Sequence, residues 1–184
     1  QHDARRLLRQ RIRGQNGPDG FLRRQAPAIG LSAVQLRADA CGQFQPVQRL
    51  QRGVSRGLRA LDFVCVEELI PTPGLRVDVM ALGPKGEVWV VECKSGRADF
   101  RADRKWQGYL DWCDRFFWAV DADFPVELLP EGTGLILADP YDAEVVRMAP
   151  EVPLSGARRK VVLRTFARAA ASRLQGLRDP GFIG

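Results

Sequence analysis

The spacing of hydrophobic positions changes several times along this chain, and each change marks an element. Val47, Leu50, Val54, Leu58 and Leu61 recur every three or four residues, with Arg49, Arg52, Arg56 and Arg59 between them. That pattern predicts an amphipathic helix laying one face on a sheet. Val64 to Leu69 reads as a strand, and Pro71-Thr72-Pro73-Gly74 as the turn after it. Two further strands follow, one through Arg76-Val77-Asp78-Val79-Met80 and one through Val88 to Lys94. A second helix is expected from about Phe100 to Asp114, with Asp99 as its N-cap and Trp106, Leu110 and Cys113 on its buried face. Phe116 to Val120 is a buried strand. Thr133 to Asp139 and Ala143 to Met148 are two more, joined by Pro140-Tyr141-Asp142. A last helix spans about Arg158 to Leu174, with Val161, Val162, Phe166, Ala169, Ala170 and Leu174 toward the core. The order α-βββ-α-β-β-β-α makes an α/β fold, a mixed sheet flanked by helices.

Within this pattern, three ionisable residues occupy strand positions. Asp78 lies on one strand, and Glu92 and Lys94 on the next. Carboxylates are depleted from strands, and a buried charge without a partner is costly. The turn Gly83-Pro84-Lys85-Gly86-Glu87 suits a three-residue hairpin loop, with Pro84 opening a type I turn and Gly86 in the left-handed position. Gly83 then faces Glu87, and the same register sets Asp78 opposite Glu92. Opposed side chains lie roughly 5 Å apart at Cβ, where two like charges repel and a hard cation between them would turn repulsion into coordination. Glu92 and Lys94, two apart, share a face. An ordinary exposed Glu–Lys pair at a strand end is the competing reading. The strand Val88-Trp89-Val90-Val91, apolar on both faces, and the opposed acid weigh against it.

A fourth acid depends on the preceding turn. A four-residue turn from Ile70 to Leu75 would set Glu67 opposite Asp78 as an accessory metal ligand, with Glu68 as the fallback. Downstream, Lys105 and Tyr109 are four apart and share a face of the expected helix.

Composition narrows the partners. The 184 residues, 45% of them hydrophobic, are enough for a sizeable core. No apolar run approaches the roughly 20 residues of a membrane span, and no secretory signal is evident, so no membrane partner is expected. Cys41, Cys65, Cys93 and Cys113 are widely spaced, which disfavours zinc or a disulfide framework and points to a reducing cytoplasm. His2 is the only histidine, so a histidine base is nearly excluded. Charge is uneven. Residues 1–60 carry 12 Arg against three acids, while the remainder is slightly acidic within an overall +6. Residues 1–45, rich in Arg, Gly, Gln and Pro, read as a basic, disordered extension preceding one domain over 46–180. Such arginine runs bind nucleic-acid phosphate non-specifically, or serve only as a solubilising extension.

Asp78, Glu92 and Lys94 match the PD-(D/E)xK nuclease pattern, with Val77 where that name has proline. The wider run resembles the MmcB-like DNA repair endonucleases of bacteria. The resemblance rests on residues 76–83, Glu92-Cys93-Lys94-Ser95, residues 99–106, Tyr109, residues 113–120 and residues 134–139, and it covers about 48 to 180. It implies a restriction-endonuclease-like αβββαβ core with extra C-terminal strands and a helix. It implies metal-dependent hydrolysis of DNA phosphodiester bonds, with Asp78, Glu92 and the Cys93 backbone carbonyl holding Mg²⁺ or Mn²⁺. Lys94 would serve the attacking water and the charged transition state. Lys105 and Tyr109 would assist beside it, and Lys105, Ser95 and Arg97 would meet the nucleic acid. A homodimer acting on both strands is a further expectation, as is a repair-protein partner recruited through the basic extension. Two other classes compete: a nucleic-acid-binding module without catalysis, and an interaction protein that works through its arginine tail.

Overall fold

The computed structural model describes residues 46–103 and 105–181. The expected basic extension, with His2 and Cys41, lies outside the described residues. Helix α1 (Pro46–Ala60) is followed by strands β1 (Val64–Thr72), β2 (Leu75–Leu82) and β3 (Val88–Lys94). A short helix α2 (Arg97–Ala102) and a 3₁₀ helix (Trp106–Trp112) lead to β4 (Arg115–Val120). A 3₁₀ turn at Val126–Leu128 precedes β5 (Gly134–Ala138), β6 (Ala143–Arg147) and the long helix α3 (Gly156–Arg178). The six strands form one sheet in chain order. The pairs β1–β2, β2–β3 and β5–β6 are antiparallel, whereas β3–β4 and β4–β5 are parallel. This is the expected mixed sheet, and the first six elements have the expected αβββαβ order.

Two apolar layers sandwich the sheet. On one face, Leu50, Val54 and Leu58 of α1 pack on Val79, Ala81, Val91, Phe117 and Ile136. On the other, Val162 and Phe166 of α3 and Tyr109 of the 3₁₀ helix pack on Met80, Val90, Phe116 and Trp118. α1 presses hard on the β5–β6 turn. A Cβ built on Gly53 would stand 1.7 Å from the Asp139 carbonyl oxygen, so only glycine allows this approach.

Three expectations are corrected here. The helix expected from Phe100 to Asp114 is broken at Asp103, whose backbone is extended. Its second part winds as 3₁₀, so Trp106, Tyr109 and Trp112 line up at three-residue spacing. Tyr109 is therefore buried, while Leu110, expected inside, is 43% exposed. Asp99 is not the cap. Gly96 takes that place, and Asp99 in the first turn accepts from the Ser95 amide at 3.2 Å. Leu174 is 56% exposed, and every residue over the last two turns of α3 is exposed with it.

Candidate active site

The hairpin turn sets the register the sequence demands. Gly83 N donates to the Glu87 carbonyl at 2.9 Å, and Gly86 has φ 84°. The ladder reads Leu82↔Val88 through Val79↔Val91, which brings Asp78 opposite Glu92. There the ladder stops. The Cys93 amide donates instead to Asp78 Oδ2 at 2.8 Å, so the Asp78 side chain is wedged between two strands. A residue's amide and carbonyl in an antiparallel pair lie on the same strand edge, so the Cys93 carbonyl lies on the edge that faces β2.

Glu92 and Lys94 are on the α3 face, both buried. Lys94 Nζ donates to Glu92 Oε1 at 3.2 Å and pairs with Asp103 Oδ2 at 2.8 Å, above the Trp118 ring at 5.7 Å. Glu92 Oε2 is buried with no partner. Burial, then the charge of Asp78, pushes the Glu92 carboxyl up to about 8, against the pull of Lys94. Burial likewise pushes Asp78 up to about 6, opposed by the Cys93 amide and Lys94. Two acids held so close in a dry site resist ionising together. Burial opposes the Lys94 charge too, but the hydrogen bond to Asp103 and the Glu92 charge outweigh it and raise its pKa.

The structure moves Glu67 out of this group. The β1–β2 turn is tighter than expected. Thr72 pairs with Leu75 around Pro73-Gly74, and Gly74 has φ 83°. An irregularity between Leu69 and Thr72 then shifts the register, so Glu67 faces Val79 instead of Asp78. Its carboxylate accepts from Ser55 Oγ of α1 at 2.9 Å. Glu68 falls opposite Asp78, in the left-handed conformation at φ 52°. Its oxygens are taken by Gln51 Nε2 at 2.7 Å and Arg76 Nε at 2.8 Å.

The remaining expected residues divide. Lys105 is exposed, with its amide bonded to Asp103 Oδ1 at 2.9 Å. Ser95 and Arg97 are exposed where β3 passes into α2. Tyr109 does not share a face with Lys105. Its hydroxyl donates to the Arg76 carbonyl at 3.1 Å, next to Asp78. Tyr109→Phe is therefore expected to cost about 1 kcal/mol of stability in urea unfolding, the worth of one such bond, with little change in chemistry. A cost well above that would show that the hydroxyl does more than bond the Arg76 carbonyl. The residue the sequence pattern hides is Asp103, since its pairing with Lys94 depends on the break in the helix.

Among the described residues no three His, Cys, Asp or Glu side chains converge into a ready metal cage. The donor set still suits a hard cation. Two carboxylates, one with an orphaned oxygen, and a backbone carbonyl leave room for phosphate and water, as Mg²⁺ sites do.

These features define an α/β fold, a mixed six-stranded sheet flanked by helices, with a buried acid pair and a lysine at the end of its central hairpin. The sequence profile of the MmcB-like DNA repair proteins matches residues 35–181, and the chain belongs to that family. Among solved structures, it is 68% identical to SPO1766, a protein of unknown function from Silicibacter pomeroyi, over 77% of this chain and 97% of that one, with a TM-score of 0.76. A repair endonuclease from Pyrococcus abyssi is a remote match, 16% identical over 62% of this chain and 50% of that one, with a TM-score of 0.32. No curated protein matches. Among the described residues, no helix is long and apolar enough to cross a membrane.

Proposed function

We propose that this protein hydrolyses phosphodiester bonds of DNA in a repair process, using Mg²⁺ or Mn²⁺. The observation that carries the reading is the pair Asp78–Glu92, buried and opposed across two strands, with Lys94 fixed beside it. A pure binder of phosphate gains nothing from buried carboxylates that repel its ligand. Asp78, Glu92 and the Cys93 carbonyl would hold the ion. Once bound, it supplies concentrated positive charge to the phosphate oxygens and the attacking water. Lys94, gripped by Glu92 and Asp103, presents a preorganised ammonium to the charge that develops on phosphate. Ser95, Arg97 and Lys105, exposed nearby, are suited to hold the flanking phosphates.

The test is cleavage of branched, single-stranded, nicked and duplex DNA with Mg²⁺ or Mn²⁺, with Lys94→Ala beside the wild type. Cleavage is expected to vanish in EDTA and to fall at least about 100-fold in the variant, the scale of losing one charge-stabilising donor. Binding without cleavage on every substrate would leave a binding module in place of a nuclease, and equal cleavage by Lys94→Ala would remove the mechanism assigned to that lysine.

A further inference from the structure

We propose that the outer face of α3 is a docking surface for the phosphate backbone of duplex nucleic acid. The inference rests on the DNA-cleaving reading for its choice of DNA over other polyanions. α3 (Gly156–Arg178) contains six Arg, one Lys and no acid in 23 residues. A surface helix ordinarily alternates charges so that neighbours four apart attract.

Three of the seven cations serve the fold. Arg158 lies over the Trp112 ring at 4.2 Å. Arg159 pairs with Asp114 at 2.6 Å. Arg173 donates to the Glu68 carbonyl at 3.4 Å. The other four form a stripe. Lys160, Arg164 and Arg168 each lie two residues from buried Val162 or Phe166, which turns them about 200° around the helix from those residues, and Arg168 also borders the groove against Glu68, Leu69 and Ile70 of β1. Arg178 is five full turns beyond Lys160 and rejoins the same line, about 27 Å along at 1.5 Å per residue. All four are exposed, and among the described residues none is in an ion pair.

Like charges at Lys160–Arg164 and Arg164–Arg168 repel, so the stripe is unfavourable to the isolated helix. A polyanion laid along it removes that repulsion and releases its own counterions. The helix also leads toward the acid pair. Its start is tied to the β2–β3 turn, through Arg159 to the Gly86 carbonyl at 2.6 Å. Its far end reaches Glu68, the residue opposite Asp78. A duplex lying on the stripe is thereby delivered to the end of the sheet that holds Asp78, Glu92 and Lys94. Membrane surfaces are the weaker fit. Through Lys160, Arg164 and Arg168 the cations are interspersed with Ala167 and Ala171, and the large exposed apolar side chains, Leu174 and Leu177, are confined to the last turns.

The full chain is titrated with a random-sequence duplex in EDTA across salt, by fluorescence anisotropy. The variant Lys160→Ala/Arg164→Ala/Arg168→Ala is expected to lower the slope of log K against log salt by about 2.7, and affinity by roughly 100-fold near 0.1 M salt. Arg164→Lys/Arg168→Lys should keep the wild-type slope. Because alanine suits an exposed helix, the triple variant should melt no lower than the wild type. If it does melt lower, Arg164→Gln/Arg168→Gln carries the same test with a slope change of about 1.8. An unchanged slope in these variants, absence of duplex binding by the wild type, or loss of binding to phosphatidylserine vesicles with duplex binding intact would overturn the docking surface. Failure of cleavage with the slope change present would overturn the enzymatic reading alone.

Discussion

Glu92→Gln is expected to raise the melting temperature of the metal-free protein at pH 8 while abolishing DNA cleavage. The wild-type carboxylate is buried, one oxygen has no partner, and Asp78 repels it across the strand pair. Its pKa in the folded chain, about 8, lies above its ordinary value of 4.5, and that of Asp78, about 6, lies above 3.8. Between those limits the unfolded chain holds fewer protons than the folded one. Stability without a divalent ion therefore falls as pH rises from about 4 to 8. For Asp78 alone the shift corresponds to on the order of 3 kcal/mol. A neutral amide at Glu92 removes the upper part of that fall and should stabilise the protein by about 1–3 kcal/mol. Mg²⁺ should act in the opposite sense. It stabilises the wild type by binding only the folded form, increasingly as pH rises, and does little for the variant. Melting curves from pH 5 to pH 8, with and without Mg²⁺, decide the matter. A variant less stable than the wild type at pH 8, or one that gains equally from Mg²⁺, would show that the two acids are not poised for a cation.

The largest loss of stability is expected away from that site, at Asp114→Ala. Asp114 is 4% exposed, and its carboxylate accepts from Val88 N at 2.7 Å, Leu154 N at 2.8 Å and Arg159 at 2.6 and 2.9 Å. It thus ties the first residue of β3 to the segment before α3 and to α3 itself. Despite burial, the hydrogen bond from Arg159 and the two amides hold its pKa below the ordinary value. That contribution is present above the usual carboxylate range and fades as pH falls through the lowered value. Removing the carboxylate strands two amides and a guanidinium, for a cost of about 3–5 kcal/mol. Urea unfolding of Asp114→Ala and Asp114→Asn measures it. A cost below about 1 kcal/mol would mean that water replaces the carboxylate without penalty.

Local signals made the centre of this fold legible in the sequence. Gly86 in a three-residue turn fixed the β2–β3 register, and with it the opposition of Asp78 and Glu92. The alternation of Leu50, Val54 and Leu58 with arginines announced α1. What stayed hidden depended on distant partners. The β1 irregularity that turns Glu67 toward Ser55 has no strong marker beyond Pro71 and Pro73. The break at Asp103 goes with its pairing to Lys94, nine residues earlier on another element, and no helical propensity could report it. The 3₁₀ winding then exchanged Leu110 for Tyr109 at the buried position. The Asp114–Arg159 pair joins residues 45 apart in sequence, beyond any local pattern.

The strand order has a consequence for how the chain comes to be folded. Each strand pairs with the one made just before it, so the sheet can be laid down in the direction of synthesis, with no strand waiting for a gap to be filled. The acid pair is complete once β3 has joined β2, before the 3₁₀ helix and α3, which pack on that face, have been made. A nascent chain therefore exposes the repelling carboxylates to water and cations until those later segments fold over them, and only then does the dry environment that raises their pKa form.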